Sequence, residues 1–206
     1  PKKYIEDVTL IPSISGTDGM IDYSVQVSDS QLPVCVKVFD KNGVQAGTNS
    51  GAKGQIVIPN AHLWMPGEGY LYQVQVTAGE DTYTLPFGIR TVKVDGARFL
   101  INGRPFYFKG YGKHEDTFPN GRGFNPVMNA KDLNLMKWQG ANSFRTSHYP
   151  YSEEMMRLCD REGIVVIDET PAVGVNLKFG GGISPLQKEA FTFRPYEEGG
   201  IGTFEH

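Results

Sequence analysis

The chain has 206 residues, of which 39% are hydrophobic and 21% are charged, a globular composition that excludes an intrinsically disordered protein. Its formal net charge of −3, without a long run of either sign, gives no electrostatic footprint for nucleic acid, so we expect no such partner. No apolar stretch approaches the roughly 20 residues of a membrane span, so we expect no membrane contact either.

The first 92 residues predict an immunoglobulin-like β-sandwich. Apolar and polar residues alternate here with the period of a half-buried strand, and Asn42-Gly43 supplies a hairpin turn. The predicted strands are 5–14, 21–27, 34–39, 55–58, 70–77 and 82–85. Several short strands at this spacing, without a helical stretch, are typical of a sandwich of about this size. We place the first domain at residues 1–92.

Residues 93–206 predict a different architecture. A short hairpin around Gly96 leads into a predicted buried strand at 105–111, whose centre is the apolar run 106–108. Asn125 is a candidate N-cap with Pro126 at the first helical position, and Gly140 ends that helix. A strand at 141–145 follows.

A second helix and a third strand complete this pattern. Ser152 is the predicted N-cap, Gly163 ends the helix, and residues 164–167 form a buried strand. Met155, Leu158 and Cys159 share the predicted inner face of the helix.

Alternating strands and helices imply parallel pairing with right-handed crossovers, either in a doubly wound sheet or in a closed eight-stranded barrel. No glycine-rich phosphate loop follows any of the strands. Polar residues instead follow the strand ends, at 113–116, 145–148 and 168–169. This position is typical of the active-site rim of a barrel enzyme.

From about residue 170 the sequence predicts a long loop. It carries four aromatic residues between glycine-rich stretches: Phe179, Phe191, Phe193 and Tyr196. A loop of roughly 35 residues without secondary structure is usually functional or mobile. Three strands cannot close a barrel of eight, so we expect the chain to be part of a longer protein.

The two cysteines, Cys35 and Cys159, both lie in apolar patterns. We expect buried free thiols, as in a protein from a reducing compartment. The N-terminal sequence has no signal-peptide pattern, although a targeting segment on a longer parent chain would not be visible here. We therefore expect a cytoplasmic protein.

The stretch 142–150, Asn-Ser-Phe-Arg-Thr-Ser-His-Tyr-Pro, followed by Met155-Met156, Asp160 and Gly163, resembles the signature of barrel strand 2 in glycoside hydrolase family 2. The segments 99–116 and 163–174 resemble the β-glucuronidase branch in particular. Galactosidases of the family usually place an asparagine where Gly112 stands. By this resemblance, residues 1–92 are similar to the family's middle domain and residues 93–206 to the first three βα units of its (β/α)8 TIM barrel.

The resemblance implies a retaining glycosidase, which needs two carboxylates about 5 Å apart. In the family these lie in Asn-Glu and Thr-Glu-Tyr-Gly contexts on strands 4 and 7, and neither context occurs here. We therefore expect no catalytic residue in this chain and no hydrolysis by it alone. Asp168 and Glu169 cannot substitute, because neighbours on a strand point to opposite faces.

Five residues are candidates for a supporting role. The resemblance favours contact of Arg145 with the nucleophilic carboxylate, and a structural ion pair is the alternative. His114 and His148 are candidates for hydrogen bonds to sugar hydroxyls, or for structural histidines. Asp168 and Glu169 would line the pocket or support the rim. We expect no cofactor, and no regular spacing of ligands supports a metal.

Several aromatic residues are candidates for packing or for contact with the leaving group of the substrate. We expect Tyr149 and Tyr151 to pack the turn after strand 2, and Trp64 and Trp138 to lie in the core. The aromatic residues of 170–206 are candidates to face the aglycone.

The expected substrates are β-D-glucuronides. The alternatives are a β-galactosidase-type specificity and a non-catalytic carbohydrate-binding module. The resemblance implies a homo-oligomeric enzyme, and the unpaired edge of the third strand predicts a tendency to associate.

Overall fold

The computed structural model describes residues 1–118 and 120–171. In its first part, two antiparallel sheets pack face to face. One sheet has the order β1-β2-β5, with β1 Ile5–Ser15, β2 Asp18–Val27 and β5 Lys53–Ile58. The other has the order β4-β3-β6-β7, with β3 Val34–Phe39, β4 Gln45–Ser50, β6 Tyr72–Ala78 and β7 Asp81–Phe87. The predicted sandwich is confirmed.

The sandwich core comes from alternate residues of both sheets. Ile21, Tyr23 and Val25 of β2 face Val36, Val38, Val74 and Val76 across the interior, as the predicted alternation requires. The rest of this buried set is Val34, Ile56, Ile58, Tyr72, Ala78 and Ile89. Because each of these strands has one apolar face, both sheets bury that face without help from a third layer.

A small antiparallel sheet links the sandwich to the rest of the chain. It is formed by β8 Val92–Asp95, β9 Arg98–Ile101 and β10 Arg104–Pro105, with Gly96 at a φ of +61° in the turn. The predicted hairpin is thus confirmed.

The last part is a parallel sheet with helices between its strands. The elements are β11 Gly110–Lys113, α1 Pro126–Trp138, β12 Ser143–Thr146, α2 Glu153–Glu162 and β13 Val165–Ile167, and the strand order is β11-β12-β13. Both predicted N-caps are confirmed: the Asn125 side chain accepts from the N–H of Met128, and that of Ser152 accepts from the N–H of Met155. Gly163 ends α2 at a φ of +68°.

The two helices cover one face of the parallel sheet. Phe144 of β12 packs in a buried cluster with Leu133, Met136, Met155 and Cys159. The opposite face of β12 carries Arg145, which is exposed. No helix within the described ranges combines the length and the apolar character of a membrane span.

The predicted strand at 105–111 is wrong. The strand of the parallel sheet begins only at Gly110, and Tyr107 is exposed rather than buried. Phe99, Phe106 and Phe108 form an aromatic cluster instead. The Asn142 side chain takes the place of a ladder partner for the irregular backbone, since its Nδ2 donates to the carbonyl of Tyr107.

The predicted core position of Trp138 is also wrong, because 82% of this residue is exposed. The buried face of α1 is formed by Asn129, Leu133 and Met136. Trp138 follows Asn129 by nine residues, which places it on the opposite side of a helix with 3.6 residues per turn. Trp64 is buried, as predicted.

Two smaller differences concern the second sheet of the sandwich. Cys35 is half-buried, not buried, because it alternates with the inward-facing Val34 and Val36 on β3. Strand β4 was not predicted, since the sequence Gln-Ala-Gly-Thr-Asn-Ser has no apolar alternation. Most of the predicted loop at 170–206, with its four aromatic residues, lies outside the described residues.

Candidate functional site

Polar residues meet at the carboxyl ends of the three parallel strands. The register pairs Gly112 with Arg145, and Arg145 with Ile167, so the strands reach this edge at the same level. His114, His148 and Glu169 follow directly after these positions in the chain. The structure therefore brings the candidates of all three strands to one edge of the sheet, where a barrel of this kind has its active site.

Glu169 joins two of the candidates. Its Oε1 lies 3.2 Å from Nε of Arg145, and its Oε2 lies 3.8 Å from Nδ1 of His148. Arg145 also donates from Nη2 to Oγ of Ser147 over 3.3 Å. All three members of this Arg145–Glu169–His148 cluster remain accessible, which suits groups that contact a ligand.

His114 extends the cluster along the rim. Its ring centroid lies 5.4 Å from that of His148, in an edge-to-face arrangement. His114 comes from the end of β11 and His148 from the end of β12, so the pair bridges two neighbouring strands. Two imidazoles and a guanidinium thus line one continuous, accessible surface.

Asp168 is turned away from this surface. Its Oδ1 accepts a hydrogen bond of 2.9 Å from Oγ1 of Thr146, a fully buried residue. The same Oγ1 accepts from the N–H of Glu169 over 2.8 Å. The prediction that Asp168 and Glu169 point to opposite faces is confirmed, and Thr146 connects them.

Beneath the rim lies a buried ion pair that the sequence did not predict. Lys113 is 6% exposed, and its Nζ lies 2.9 Å from Oδ2 of Asp132 on α1. That Nζ also donates to the carbonyl of His114 over 3.0 Å. The only signal in the sequence is parity, because Lys113 shares the helix-facing side of β11 with Tyr111.

Tyr151 ties this ion pair to the second crossover. Its hydroxyl donates to the carbonyl of Lys113, and its ring packs against Phe144. Burial raises the pKa of the Tyr151 hydroxyl far above its ordinary value, so it stays a hydrogen-bond donor. The predicted packing role of Tyr151 is confirmed.

The segment between β11 and α1 covers the neighbouring tyrosine. The guanidinium of Arg122 lies 5.0 Å from the centroid of the Tyr149 ring, and its Nε lies 3.4 Å from Oδ1 of Asp116. Thr117 and Gly121 close this segment with two backbone hydrogen bonds. Tyr149 is therefore a packing residue, as predicted.

A cation, two imidazoles and a carboxylate can bind a polyhydroxylated or anionic ligand by hydrogen bonds. Both oxygens of Glu169 already face cationic or imidazole groups, so this carboxylate orients its neighbours. Within residues 1–118 and 120–171, no group of three His, Cys, Asp or Glu side chains is placed to hold a metal ion.

Comparison with known families assigns both parts of the chain. Residues 3–90 match the family described as glycosyl hydrolases family 2, and residues 92–192 match its TIM barrel domain. The predicted fold class, an immunoglobulin-like β-sandwich followed by the first part of a (β/α)8 barrel, is thereby confirmed.

Similar proteins carry the name β-glucuronidase. The protein from Paenibacillus borealis is 51% identical over 177 residues, covering 83% of this chain and 30% of the relative. The human protein is 46% identical over 191 residues, covering 86% of this chain and 29% of the relative. The chain thus spans under a third of the length of these relatives.

Solved structures agree with this result. The β-D-glucuronidase of Dictyoglomus thermophilum superposes with a TM-score of 0.82 at 48% identity, covering 86% of this chain and 31% of that one. A Ruminococcus gnavus β-glucuronidase in complex with D-glucuronic acid superposes with a TM-score of 0.81 at 39% identity, covering 84% and 31%.

Proposed function

Because the chain belongs to glycoside hydrolase family 2, we propose that it supplies part of the substrate site of a β-glucuronidase that hydrolyses β-D-glucuronides with retention of configuration. The observation that carries this proposal is the Arg145–Glu169–His148 cluster at the carboxyl edge of the sheet, in a chain 51% and 46% identical to the Paenibacillus borealis and human β-glucuronidases. The two catalytic carboxylates come from elsewhere in the parent enzyme.

Each rim residue has a role in this proposal. Arg145 approaches the nucleophilic carboxylate through Nη1, while Glu169 fixes its Nε and Ser147 accepts from its Nη2. His114 and His148 donate to or accept from sugar hydroxyls. Asp168 and Thr146 hold Glu169 from the opposite face of the sheet.

Gly112 argues against a galactosidase-type site. A Cβ added here would lie 2.7 Å from Oγ of Ser147 and 3.4 Å from Nη2 of Arg145. The asparagine that galactosidases usually carry at this position would displace the Ser147 hydroxyl, which accepts from Arg145. The arrangement of Arg145 and Ser147 is therefore matched to a glycine, which supports glucuronide specificity.

We further propose that the parent enzyme is a cytoplasmic homo-oligomer. Both cysteines, Cys35 and Cys159, are free thiols, as in proteins of a reducing compartment.

The test is a transplant into a relative. The matched segment of the Paenibacillus borealis β-glucuronidase is replaced by this chain, and the chimera is assayed with p-nitrophenyl β-D-glucuronide and the matching galactoside. We expect clear preference for the glucuronide, and a loss of about a hundredfold in kcat/KM for Arg145→Gln. A folded chimera that prefers the galactoside, or that cleaves neither substrate, would overturn the proposal.

The isolated 206-residue chain is the matched control. We expect no turnover from it, because a retaining glycosidase needs two carboxylates and both come from outside this chain. Turnover of the glucuronide by the isolated chain would show that the catalytic pair had been assigned to the wrong part of the enzyme.

A further inference from the structure

Three side chains lock the sandwich to the second helix of the barrel part, and we call them the interdomain clamp: Trp64, Arg90 and Asp160. Nε1 of the buried Trp64 donates to the carbonyl of Asp160 over 2.7 Å, and Nη2 of Arg90 lies 2.9 Å from Oδ1 of Asp160. The guanidinium of Arg90 also stacks 4.5 Å from the centroid of the Trp64 ring. Trp64 and Arg90 therefore bind both the backbone and the side chain of Asp160 on α2.

The backbones meet closely at the same place. The N–H of Gly67 donates to the carbonyl of Gly163 over 2.8 Å. A Cβ at Gly69 would lie 2.2 Å from the carbonyl oxygen of Arg161, and one at Gly163 would lie 2.6 Å from the nitrogen of Gly67. Because no side chain separates the two domains here, the end of α2 has little freedom to shift relative to the sandwich.

A short segment that pairs with β12 connects the clamp to the rim. From Gly163 the chain enters β13, where the N–H of Val165 donates to the carbonyl of Asn142 and the strand pairs in register with β12. Six residues after Gly163 lies Glu169, whose N–H is bonded to Thr146. Any displacement at the clamped end of β13 is thus carried along the strand to Glu169.

We propose that Trp64 and Arg90 are positioning residues for the sugar site, acting through β13 on Glu169 and thereby on Arg145 and His148. The catalytic consequence rests on the proposed function. The structural part, that the sandwich sets the position of Glu169, does not depend on it. The sandwich then has a function in the reaction beyond that of a neighbouring domain.

The first test measures turnover in the chimera described above. Trp64→Phe keeps an aromatic ring under Arg90 but removes the N–H donor, so we expect kcat for the glucuronide to fall about tenfold with KM changed less than about twofold. Val74→Ala, in the sandwich core and in none of the clamp contacts, is the control: it lowers the melting temperature but leaves kcat unchanged below it. Equal effects of both variants on kcat, or an unchanged kcat in Trp64→Phe, would overturn the proposal.

The second test uses the 206-residue chain alone and needs no activity. Ring ¹H–¹³C signals of the histidines are recorded, with that of His148 identified by its loss in His148→Gln. We expect Trp64→Phe to shift the His148 signal, and Val74→Ala to leave it in place. An unmoved His148 signal in Trp64→Phe rejects the positioning role even if the chimera proves inactive, whereas a shifted signal with an inactive chimera rejects only the proposed glucuronidase function.

Discussion

The two parts of the molecule bury different kinds of residue. The cluster that fills the sandwich consists of hydrophobic side chains, whereas the buried polar residues of the described chain all lie in the barrel part: Lys113, Asn129, Ser143, Thr146 and Ser147. The sandwich is thus stabilised mainly by removal of apolar surface from water. The barrel part also depends on satisfied hydrogen bonds, because a buried polar group without a partner is costly.

This difference separates the residues that stabilise the fold from those that form the candidate site. In the sandwich, both sheets turn their apolar faces toward each other and leave polar residues to solvent. In the barrel part, the apolar face of the sheet packs against α1 and α2, and the opposite face presents Arg145 and Glu169. The alternation of side chains along a strand therefore forms a buried core in the sandwich, and in the barrel part it also places polar site residues on the accessible face.

The largest expected effect comes from the sandwich core. Ile21→Ala removes a side chain with 0% exposure, so we expect a loss of about 2–5 kcal/mol in the free energy of unfolding. Ile11→Ala, on the neighbouring strand at 58% exposure, should change it by less than about 0.5 kcal/mol. Urea unfolding measures both changes in free energy, and hydrogen exchange resolved by peptide shows which residues lose protection. We expect the loss in the sandwich; an equal loss in residues 110–171 would show that the sandwich and the barrel part unfold as one cooperative unit.

The two thiols sharpen the comparison by their reactivity. Burial raises the pKa of Cys159 from 9.0 to about 12, which lowers its thiolate fraction about a thousandfold at pH 8. We expect iodoacetamide to label the half-buried Cys35 in the native chain, and Cys159 only in urea. Cys35→Ser leaves Cys159 as the single thiol and is the control. Rapid native labelling of that variant would contradict the burial of Cys159.

The same shift predicts a pH dependence of stability. The folded chain holds the Cys159 proton up to about pH 12, while the unfolded chain releases it near pH 9.0. The unfolded state is therefore favoured increasingly as the pH rises through this interval. Cys159→Ala should remove this part of the pH dependence.

The buried ion pair of the barrel part gives the next effect. Asp132→Asn leaves the charge of Lys113 buried without a counter-ion, so we expect a loss of about 1–3 kcal/mol. Adding Lys113→Met to Asp132→Asn should restore part of the loss, because the uncompensated charge is then gone. Urea unfolding of the single and double variants forms the cycle. A double variant no more stable than Asp132→Asn would mean that Lys113 acts mainly through its bond to His114.

The elements that the sequence predicted well are those with strong local signals. Asn125 and Ser152 were identified as caps because their side chains satisfy N–H groups that every helix leaves free. The strands of the sandwich followed from alternation. The gathering of His114, His148 and Glu169 followed from topology, since the ends of parallel strands meet at one edge.

What the sequence did not predict depends on contacts between distant residues. The irregular backbone at 106–109 is held by the side chain of Asn142, the residue before β12, which is more than thirty residues away. The role of Thr146 requires both Asp168 and Glu169 to be placed around it. Strand β4 is held by backbone pairing with β3, although its own residues have no apolar alternation.

The smallest expected effect is at Trp138. The tryptophan is 82% exposed on α1, so Trp138→Gln should change the free energy of unfolding of the 206-residue chain by less than about 0.5 kcal/mol. Leu133→Ala, on the buried face of the same helix, should cost about 2–5 kcal/mol and is the matched control. Urea unfolding compares the two. A loss of more than about 1 kcal/mol in Trp138→Gln would contradict the exposed position of this ring on α1.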